Sequence, residues 1–191
     1  YIILDWHYIG NIATGAGEQM PDIDPAPAAL STEFWELLSN HYKDTPHVLF
    51  EIFNEPQSIS ADVWHDSAEQ LVQVIRSQGA SQIIIVGGID YARDLSWVSA
   101  DPVTGGNIAY AAHIYPAHTK SGWDHWFGDV SDRFPVLISE WGFMESSSDA
   151  SLNYLVGSAD VFANPFLTYL DEHNIGWVAC WYDDDWDPPM F

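Results

Sequence analysis

The segment HVLFEIFNEPQ, residues 47–57, decides how the rest of the chain is interpreted. Its first seven residues are mostly apolar, which indicates a buried strand. The run ends in Asn54-Glu55-Pro56, and an amide, an acid and an imino acid in succession do not suit a strand interior. We therefore predict a strand over 47–55 whose carboxyl end faces a ligand.

Five other apolar runs resemble this strand, and helical patterns lie between them. The runs cover 1–7, 82–88, 107–115, 135–141 and 176–182. The helical patterns cover 31–42, a segment from the cap Ser60 to Gly79, 123–127 and 161–173, with Pro165 in the first turn of the last. Residues 8–30 are predicted to form a loop. Because near-continuous apolar strands alternate with helices, the predicted fold is α/β with about six parallel strands. No linker interrupts residues 1–191, so we expect a single domain.

Polar or aromatic side chains follow nearly every predicted strand. They are Asp5, His7, Asn54, Glu55, His113, Tyr115, Glu140 and Trp181. In a barrel of parallel strands these carboxyl ends share one face, whereas an open sheet offers a crevice at a switch point. Contributions from six strands favour the barrel mouth. We therefore predict a partial (β/α)8 barrel.

Glu55 and Glu140 stand at two of these strand ends. Two carboxylates in one pocket suit glycoside hydrolysis, because one protonates the leaving oxygen and the other attacks the anomeric carbon or activates water. The chemistry requires unequal environments for the two groups. It requires neither a cofactor nor a metal ion, and none is predicted.

Aromatic residues are abundant, with ten Trp and nine Tyr in 191 residues. Indole and phenol faces stack on the apolar faces of sugar rings. Core packing is the competing interpretation for any single tryptophan. The candidates for sugar contact are Trp6, Tyr91, Trp97, Trp141 and Trp181.

Acidic residues outnumber basic residues 28 to 5, for a formal net charge of −23. Such a surface repels phosphate backbones, so nucleic acid is excluded as a partner. No apolar run approaches the roughly 20 residues of a membrane span. An acidic secreted protein and an adaptation to high salt both fit the composition. The single cysteine, Cys180, is predicted to be a core residue, and Asp183–Asp185 a solvated loop, with calcium binding as the alternative.

Five segments carry a resemblance to a known family. They are ILDWH (3–7), FEIFNEP (50–56), AAHIYP (111–116), LISEWG (137–142) and ACWYDDD (179–185). In this order and spacing they resemble the catalytic domain of glycoside hydrolase family 5, also called cellulase family A, of clan A. ILDWH resembles the third strand of the family. We therefore expect the first two β/α units and the last helix to be absent, with the amino terminus cut or the source sequence partial.

The resemblance implies a role for each matching residue. Glu55 resembles the general acid/base and Glu140 the nucleophile of a retaining double displacement, with the two carboxylates about 5 to 5.5 Å apart. Asn54 would bind the 2-hydroxyl of the sugar at the cleavage point. His7 and His113 would line the same subsite, and Tyr115 would lie against the nucleophile. Trp181 would be the platform beneath the cleaved sugar. The segment VGGIDYARDLSWV (86–98) resembles a loop of bacterial endoglucanases, which implies β-1,4-glucan as substrate.

Several functions remain open at this stage. An endo-β-1,4-glucanase comes first, and a β-mannanase or xyloglucanase on the same scaffold is the alternative. The resemblance also implies an arginine at the end of the family's second strand, hydrogen-bonded near the nucleophile, and none of Arg76, Arg93 and Arg133 lies at a matching position. Two further alternatives are therefore a carbohydrate-binding protein without turnover and a gene fragment without selected function. Raw sheet edges at 1–7 and 176–182 predict a homo-oligomer.

Overall fold

A computed structural model describes residues 1–17 and 27–190. Most of the loop predicted over 8–30 therefore lies outside the described residues. The chain divides into two compact units, Tyr1–Ala111 and Ala112–Phe191. No helix in the described ranges combines the length and hydropathy of a membrane span.

The first unit contains a parallel sheet and a small second pairing. Its strands are β1 (Ile2–Asp5), β2 (Ile9–Gly10), β3 (Val48–Glu51), β4 (Glu55–Pro56), β5 (Ile84–Gly87) and the start of β6 (Ile108–Ile114). Four of them pair in the order β1-β3-β5-β6, all parallel, and β2 pairs with β4. The parallel arrangement confirms the prediction from the sequence.

The single strand predicted over 47–55 is wrong, because the chain changes hydrogen-bond partners within it. The Ile52 amide still donates to the Ile85 carbonyl of β5 at 3.1 Å. The Asn54 amide instead donates to Trp6 at 3.0 Å, and the Glu55 amide to Tyr8 at 3.0 Å. The strand therefore ends at Glu51, and Asn54-Glu55 is held by the segment that follows β1.

Two long helices cover the first unit, α1 (Pro27–Tyr42) and α2 (Ala61–Ser77). Helix α1 begins four residues before the predicted Ser31, whose hydroxyl donates to the Pro27 carbonyl at 2.7 Å inside the helix. Proline suits the first helical turn, where its missing N–H has no partner to lose. Helix α2 starts after Ser60 as predicted, and Gly79 follows its end with φ +84°.

Two fully buried tryptophans attach these helices to the strand ends. The Trp35 indole of α1 donates to the Ile52 carbonyl at 2.9 Å, and the Trp64 indole of α2 donates to the Gly87 carbonyl at 2.8 Å. Each hydrogen bond satisfies a backbone group at the point where a strand ends. The helices thereby fix the carboxyl ends of β3 and β5.

The second unit contains the end of β6 together with β7 (Val136–Trp141) and β8 (Gly176–Ala179). These strands follow one another in the order β6-β7-β8, and β7 pairs with β8 in parallel. Two short helices complete the unit, α3 (Asp129–Ser131) and α4 (Asn164–Glu172). The strands described in the two units thus include the six predicted from the sequence.

The helices of the second unit begin in π-helical turns rather than where the sequence predicts them. The helix predicted over 123–127 is a π-helical turn at Asp124–Gly128 that leads into α3. The helix predicted over 161–173 opens with a π-helical turn at Ala159–Ala163, and Pro165 lies in the first turn of α4 as predicted. A π-turn depends on packing against the rest of the unit, which a local pattern does not encode.

Candidate active site

Glu140, near the end of β7, lies in a buried polar cluster of the second unit. Glu140 is only 8% exposed to solvent. The Tyr115 hydroxyl donates to Glu140 Oε2 at 2.8 Å, and His113 Nδ1 lies 3.3 Å from the same oxygen. A buried carboxylate is costly unless hydrogen-bond donors compensate for lost water. These two contacts therefore favour the ionised carboxylate and fix its orientation.

The contacts of His113 assign its tautomer. A carboxylate only accepts hydrogen bonds, so Nδ1 carries the proton that points to Glu140. The other ring nitrogen, Nε2, lies 3.1 Å from the Ser139 hydroxyl and accepts from it. Ser139 precedes Glu140 in the chain but was not among the predicted site residues, because only the fold shows that it reaches His113.

Tyr115 and Cys180 both keep their protons at neutral pH. Burial is the main cause that raises the pKa of Tyr115 well above its ordinary value, and the charge of Glu140 adds to it. Burial, followed by Glu140, raises the pKa of the Cys180 thiol to about 12. The sulfur lies 3.4 Å from the Tyr115 hydroxyl oxygen. Cys180 is buried as predicted, and it also touches the group that holds Glu140.

Trp181, directly after β8, packs beside this cluster. Its half-buried ring lies against the buried group formed by Tyr115, Leu155 and Cys180. The indole N–H donates to the Asp187 carbonyl at 3.1 Å, and Trp186 meets the ring edge-on at 5.2 Å. The ring of Trp181 is therefore held in place next to the tyrosine that binds Glu140.

The acidic loop after Trp181 is exposed. Asp183, Asp184 and Asp185 bring one oxygen each within 4.8 Å of one another. Asp183 Oδ1 accepts from the backbone N–H of Asp185 at 2.7 Å, a contact typical of a solvated turn. This geometry fits the predicted solvated loop.

Asn54 and Glu55 are placed in the first unit through their backbone. Asn54 is 2% exposed, and Glu55, the first residue of β4, is half-buried. Their amides donate to the carbonyls of Trp6 and Tyr8, each at 3.0 Å. The Pro56 carbonyl accepts from the amide of Tyr91 at 3.0 Å. The backbone of the Asn-Glu-Pro motif is thus held from two directions.

His7 is oriented by Asp5 at the end of β1. Its Nδ1 lies 2.7 Å from Asp5 Oδ2, and both side chains are partly exposed. Because the carboxylate accepts, Nδ1 carries the proton and Nε2 is the acceptor nitrogen of the neutral ring. Residues two apart in an extended segment share a face, which is the sequence signal that pairs them.

Among the other predicted sugar-binding aromatics of the first unit, Tyr91 is the most exposed. Its side chain belongs to a residue that is 40% exposed, in a loop after β5. Trp6 is half-buried, donates to the Ser31 hydroxyl at 2.7 Å and packs on Phe34 of α1. Trp97 is half-buried and meets Tyr110 edge-on at 6.1 Å. Trp6 and Trp97 therefore share their rings with core contacts.

Trp141, at the end of β7, is 7% exposed. Its ring meets Phe162 and Phe166 at 6.3 and 5.8 Å and Trp177 edge-on at 5.4 Å. Protein rings therefore surround most of its surface. The core interpretation, which the sequence left open for every tryptophan, fits this packing best.

The three arginines each have structural contacts. Arg76 donates to the carbonyls of Ala80 at 3.1 Å and Gly106 at 2.8 Å. Arg93 pairs with Asp90, and the Arg133 guanidinium lies 5.2 Å from the centre of the Phe134 ring. Within the described part of the chain, these contacts show packing and loop anchoring as the roles of the three side chains.

Comparisons with known sequences point to one family. The model named "Cellulase (glycosyl hydrolase family 5)" matches residues 1–185. The chain is 29% identical over 192 residues to endoglucanase E-5 of Thermobifida fusca, covering 97% of the chain and 38% of that protein. It is 32% identical over 158 residues to endoglucanase A of Butyrivibrio fibrisolvens, covering 80% of the chain and 33% of that protein. The chain thus spans about a third of the length of these relatives.

Solved structures agree with this assignment. A β-glucanase from Saccharophagus degradans, crystallised in complex with cellotetraose, superimposes with a TM-score of 0.91 at 27% identity, over all of this chain and 61% of that one. The catalytic domain of the Thermobifida fusca endoglucanase gives a TM-score of 0.77 at 26% identity, over 97% and 58% of the two chains. These matches confirm the predicted partial (β/α)8 fold. Because the family model matches residues 1–185 and the order of parallel strands agrees with it, this chain belongs to glycosyl hydrolase family 5.

Proposed function

We propose that this chain carries the catalytic residues of a retaining endo-β-1,4-glucanase. The observation that carries the proposal is the buried Glu140 carboxylate, held by Tyr115 and His113 at 2.8 and 3.3 Å in a family 5 chain. The substrate class is taken from the relatives, since two of them are endoglucanases and a third was crystallised with cellotetraose.

The proposed reaction has two steps. Glu140 attacks the anomeric carbon while Glu55 donates its proton to the oxygen of the leaving sugar, so a glycosyl ester forms and the glycosidic bond breaks. Glu55, now a carboxylate, takes a proton from water, and the resulting oxygen displaces Glu140 from the anomeric carbon. Two inversions restore the β-configuration and return both carboxyl groups to their starting states.

The environments of the two glutamates support this division of roles. A nucleophile must be ionised and fixed in direction, and the two donors to Glu140 Oε2 provide both conditions. An acid/base must exchange protons with water during each cycle. Glu55 is half-buried rather than buried, which suits that exchange.

Substrate contacts form the next part of the proposal. Asn54 binds the 2-hydroxyl, while His7, His113 and Tyr115 line the subsite of the cleaved sugar. Trp181 lies beneath that sugar as a platform, since it packs against the cluster around Tyr115. A further contact comes from Tyr91, the most exposed ring of the aromatic set named from the sequence.

The proposal includes the setting in which the enzyme works. A polysaccharide substrate is too large to enter a cell, so we place the enzyme outside it. The net charge of −23 repels phosphate backbones, so the proposal includes no nucleic acid, and it includes no membrane. Glutamate chemistry of this type uses no cofactor.

Hydrolysis of carboxymethyl cellulose tests the proposal. The purified chain should release new reducing ends at low or high salt. Glu140→Ala should abolish the release, and Glu55→Ala should lower it by at least about 10²-fold. Glu145→Ala, a change of an exposed glutamate in the second unit, is the matched control and should keep full activity. Equal activity of Glu140→Ala and the unchanged chain would overturn the assignment. Faster hydrolysis of mannan or xyloglucan would replace the proposed substrate by the alternatives.

A carbohydrate-binding protein without turnover is the second candidate. The observation that motivates it is that Arg76, Arg93 and Arg133 contact backbone carbonyls, Asp90 and Phe134, respectively. Calorimetry that shows cellotetraose binding to a folded chain, with no reducing ends released, would favour this candidate.

We also propose that the chain forms a homo-oligomer. Strand β8 ends its sheet order and exposes Trp177 by 48% and Val178 by 42%, and strand β1 begins that order and exposes Ile2 by 54%. Exposed apolar edges of this kind favour pairing between chains. Light scattering should give a mass above 21.4 kDa, and a clean monomer would contradict the proposal.

A further inference from the structure

The sulfur of Cys180 lies at the far side of the tyrosine that binds Glu140. Sγ is 3.4 Å from the Tyr115 hydroxyl oxygen, and that hydroxyl is 2.8 Å from Glu140 Oε2. Cys180 and Tyr115 are buried, at 8% and 7% exposure. Thiol, phenol and carboxylate thus form a continuous hydrogen-bonded row inside the second unit.

The protons of the phenol and the thiol decide how this row is connected. An ionised carboxylate accepts, so the single hydroxyl proton of Tyr115 points to Glu140. The phenol oxygen then faces the sulfur with its lone pairs. Because the raised pKa keeps the thiol protonated, the S–H group is available as a donor. The Trp141 carbonyl, 3.5 Å from the sulfur, is a second acceptor, and it also accepts from the backbone N–H of Cys180 at 2.9 Å.

We propose that Cys180 is a positioning residue, whose S–H donates to Tyr115 and so strengthens and directs the hydrogen bond from Tyr115 to Glu140. A hydroxyl that accepts one hydrogen bond donates the next more strongly, since each bond polarises its neighbour in a medium of low dielectric constant. The thiol does not touch substrate and acts only through Tyr115. As far as its effect on turnover is concerned, the inference rests on the proposed function.

A spectroscopic test does not depend on activity. The chain has one cysteine, so the S–H stretching band in its Raman spectrum has a single source. Tyr115→Phe removes the acceptor and should shift the band to higher frequency. Glu140→Gln should shift it in the same direction by less, because a neutral amide polarises Tyr115 less than a carboxylate does.

The control for this test is Tyr154→Phe. Tyr154 meets the Tyr115 ring edge-on at 5.7 Å, so the change removes a neighbouring hydroxyl and leaves the Tyr115–Cys180 contact intact. The band should not move in this variant. An S–H band at one frequency in the unchanged chain, Tyr115→Phe and Glu140→Gln would overturn the inference, whether or not the chain hydrolyses glucan. Near-ultraviolet circular dichroism verifies that each variant is folded.

Kinetics test the consequence for turnover. Cys180→Ala should lower kcat about 2- to 10-fold with KM unchanged, the size expected for one hydrogen bond. Cys180→Ser supplies a donor at the same place and should restore most of the loss. In a Tyr115→Phe background, Cys180→Ala should change kcat less than twofold, because the hydroxyl that joins Cys180 to Glu140 is already absent. An equal loss in both backgrounds would show that Cys180 acts by packing alone. Absence of turnover in the unchanged chain would overturn the proposed function, while the Raman bands still test whether the Cys180 S–H donates to Tyr115.

Discussion

The surroundings of Glu140 and of Glu55 differ in burial and in the contacts that position each residue. Glu140 is buried in the second unit, and two side chains from β6 and its end address one of its oxygens. Glu55 is half-buried in the first unit, and its position comes from backbone hydrogen bonds of its own segment to the residues after β1. Side-chain contacts orient the Glu140 carboxylate, whereas backbone hydrogen bonds fix the segment that carries Glu55.

Under the proposed mechanism, the two environments fit two different roles for the same type of side chain. A carboxylate that receives hydrogen bonds is stabilised as an anion, as a nucleophile requires. A carboxyl group with access to water takes up and releases protons, as an acid/base requires. The residue type is the same in both places, so the surroundings decide the role.

The largest effect is expected from Glu140→Gln. An amide does not attack the anomeric carbon, so kcat should fall by more than about 10⁴-fold, beyond the range of acid/base catalysis alone. Binding should persist, because the amide keeps the volume of the side chain. Reducing-end assays and calorimetry with cellotetraose measure the two quantities. Loss of binding together with turnover would show a structural role for Glu140.

A smaller loss is expected from Glu55→Ala, about 10² to 10⁴-fold in kcat on glucan. The phenolate of an aryl cellobioside with an acidic phenol leaves without protonation. The rate of the first step should therefore recover in the variant on that substrate. Glu140→Gln should show no such recovery. If both variants recover equally on the aryl substrate, the two roles are not divided as proposed.

Tyr115→Phe should lower kcat about 10- to 100-fold, since a hydrogen bond to a charged group contributes about 1.5 to 3 kcal/mol. The loss should appear in the attack on the anomeric carbon, because Tyr115 contacts Glu140. Single-turnover kinetics measure that step. Unchanged kinetics would show that the 2.8 Å contact does not serve the nucleophile.

The smallest effect concerns stability at alkaline pH. The pKa of Cys180 is about 12 in the folded chain, against an ordinary value of 9.0. Above pH 9 the unfolded chain loses the thiol proton first, so its contribution to stability is present below about pH 9 and is lost as pH rises towards 12. Thermal unfolding from pH 8 to 11 should show a steeper decline for the unchanged chain than for Cys180→Ala. Parallel curves would contradict the raised pKa.

The sequence was sufficient for the residues at the strand ends, because a polar residue after an apolar run is a local signal. His113 and Glu140 lie next to the last residues of β6 and β7, and Asn54 and Glu55 follow the end of β3 at Glu51 after a short gap. The alternation of strands and helices was also local, and it predicted the parallel order. Family resemblance then supplied the roles that spacing alone does not give.

The remaining features depend on contacts between distant residues. The break between β3 and β4 arises because the amides of Asn54 and Glu55 find carbonyls at Trp6 and Tyr8. The sequence predicts a helix that starts at Ser31, whereas the Ser31 hydroxyl donates to the Pro27 carbonyl inside a helix that begins at Pro27. The contact of Cys180 with Tyr115 joins residues 65 positions apart. Patterns along the chain do not contain such pairs.

Covalent trapping tests most directly the claim that Glu140 is the nucleophile. A 2-deoxy-2-fluoro-cellobiosyl fluoride forms a slowly hydrolysed glycosyl ester with the group that attacks the anomeric carbon, and peptide mass mapping locates the ester. We expect one label, on Glu140, that disappears in Glu140→Gln and remains in Tyr154→Phe. A label on Glu55 or on any other residue, or no label on a chain that hydrolyses glucan, would contradict the assignment.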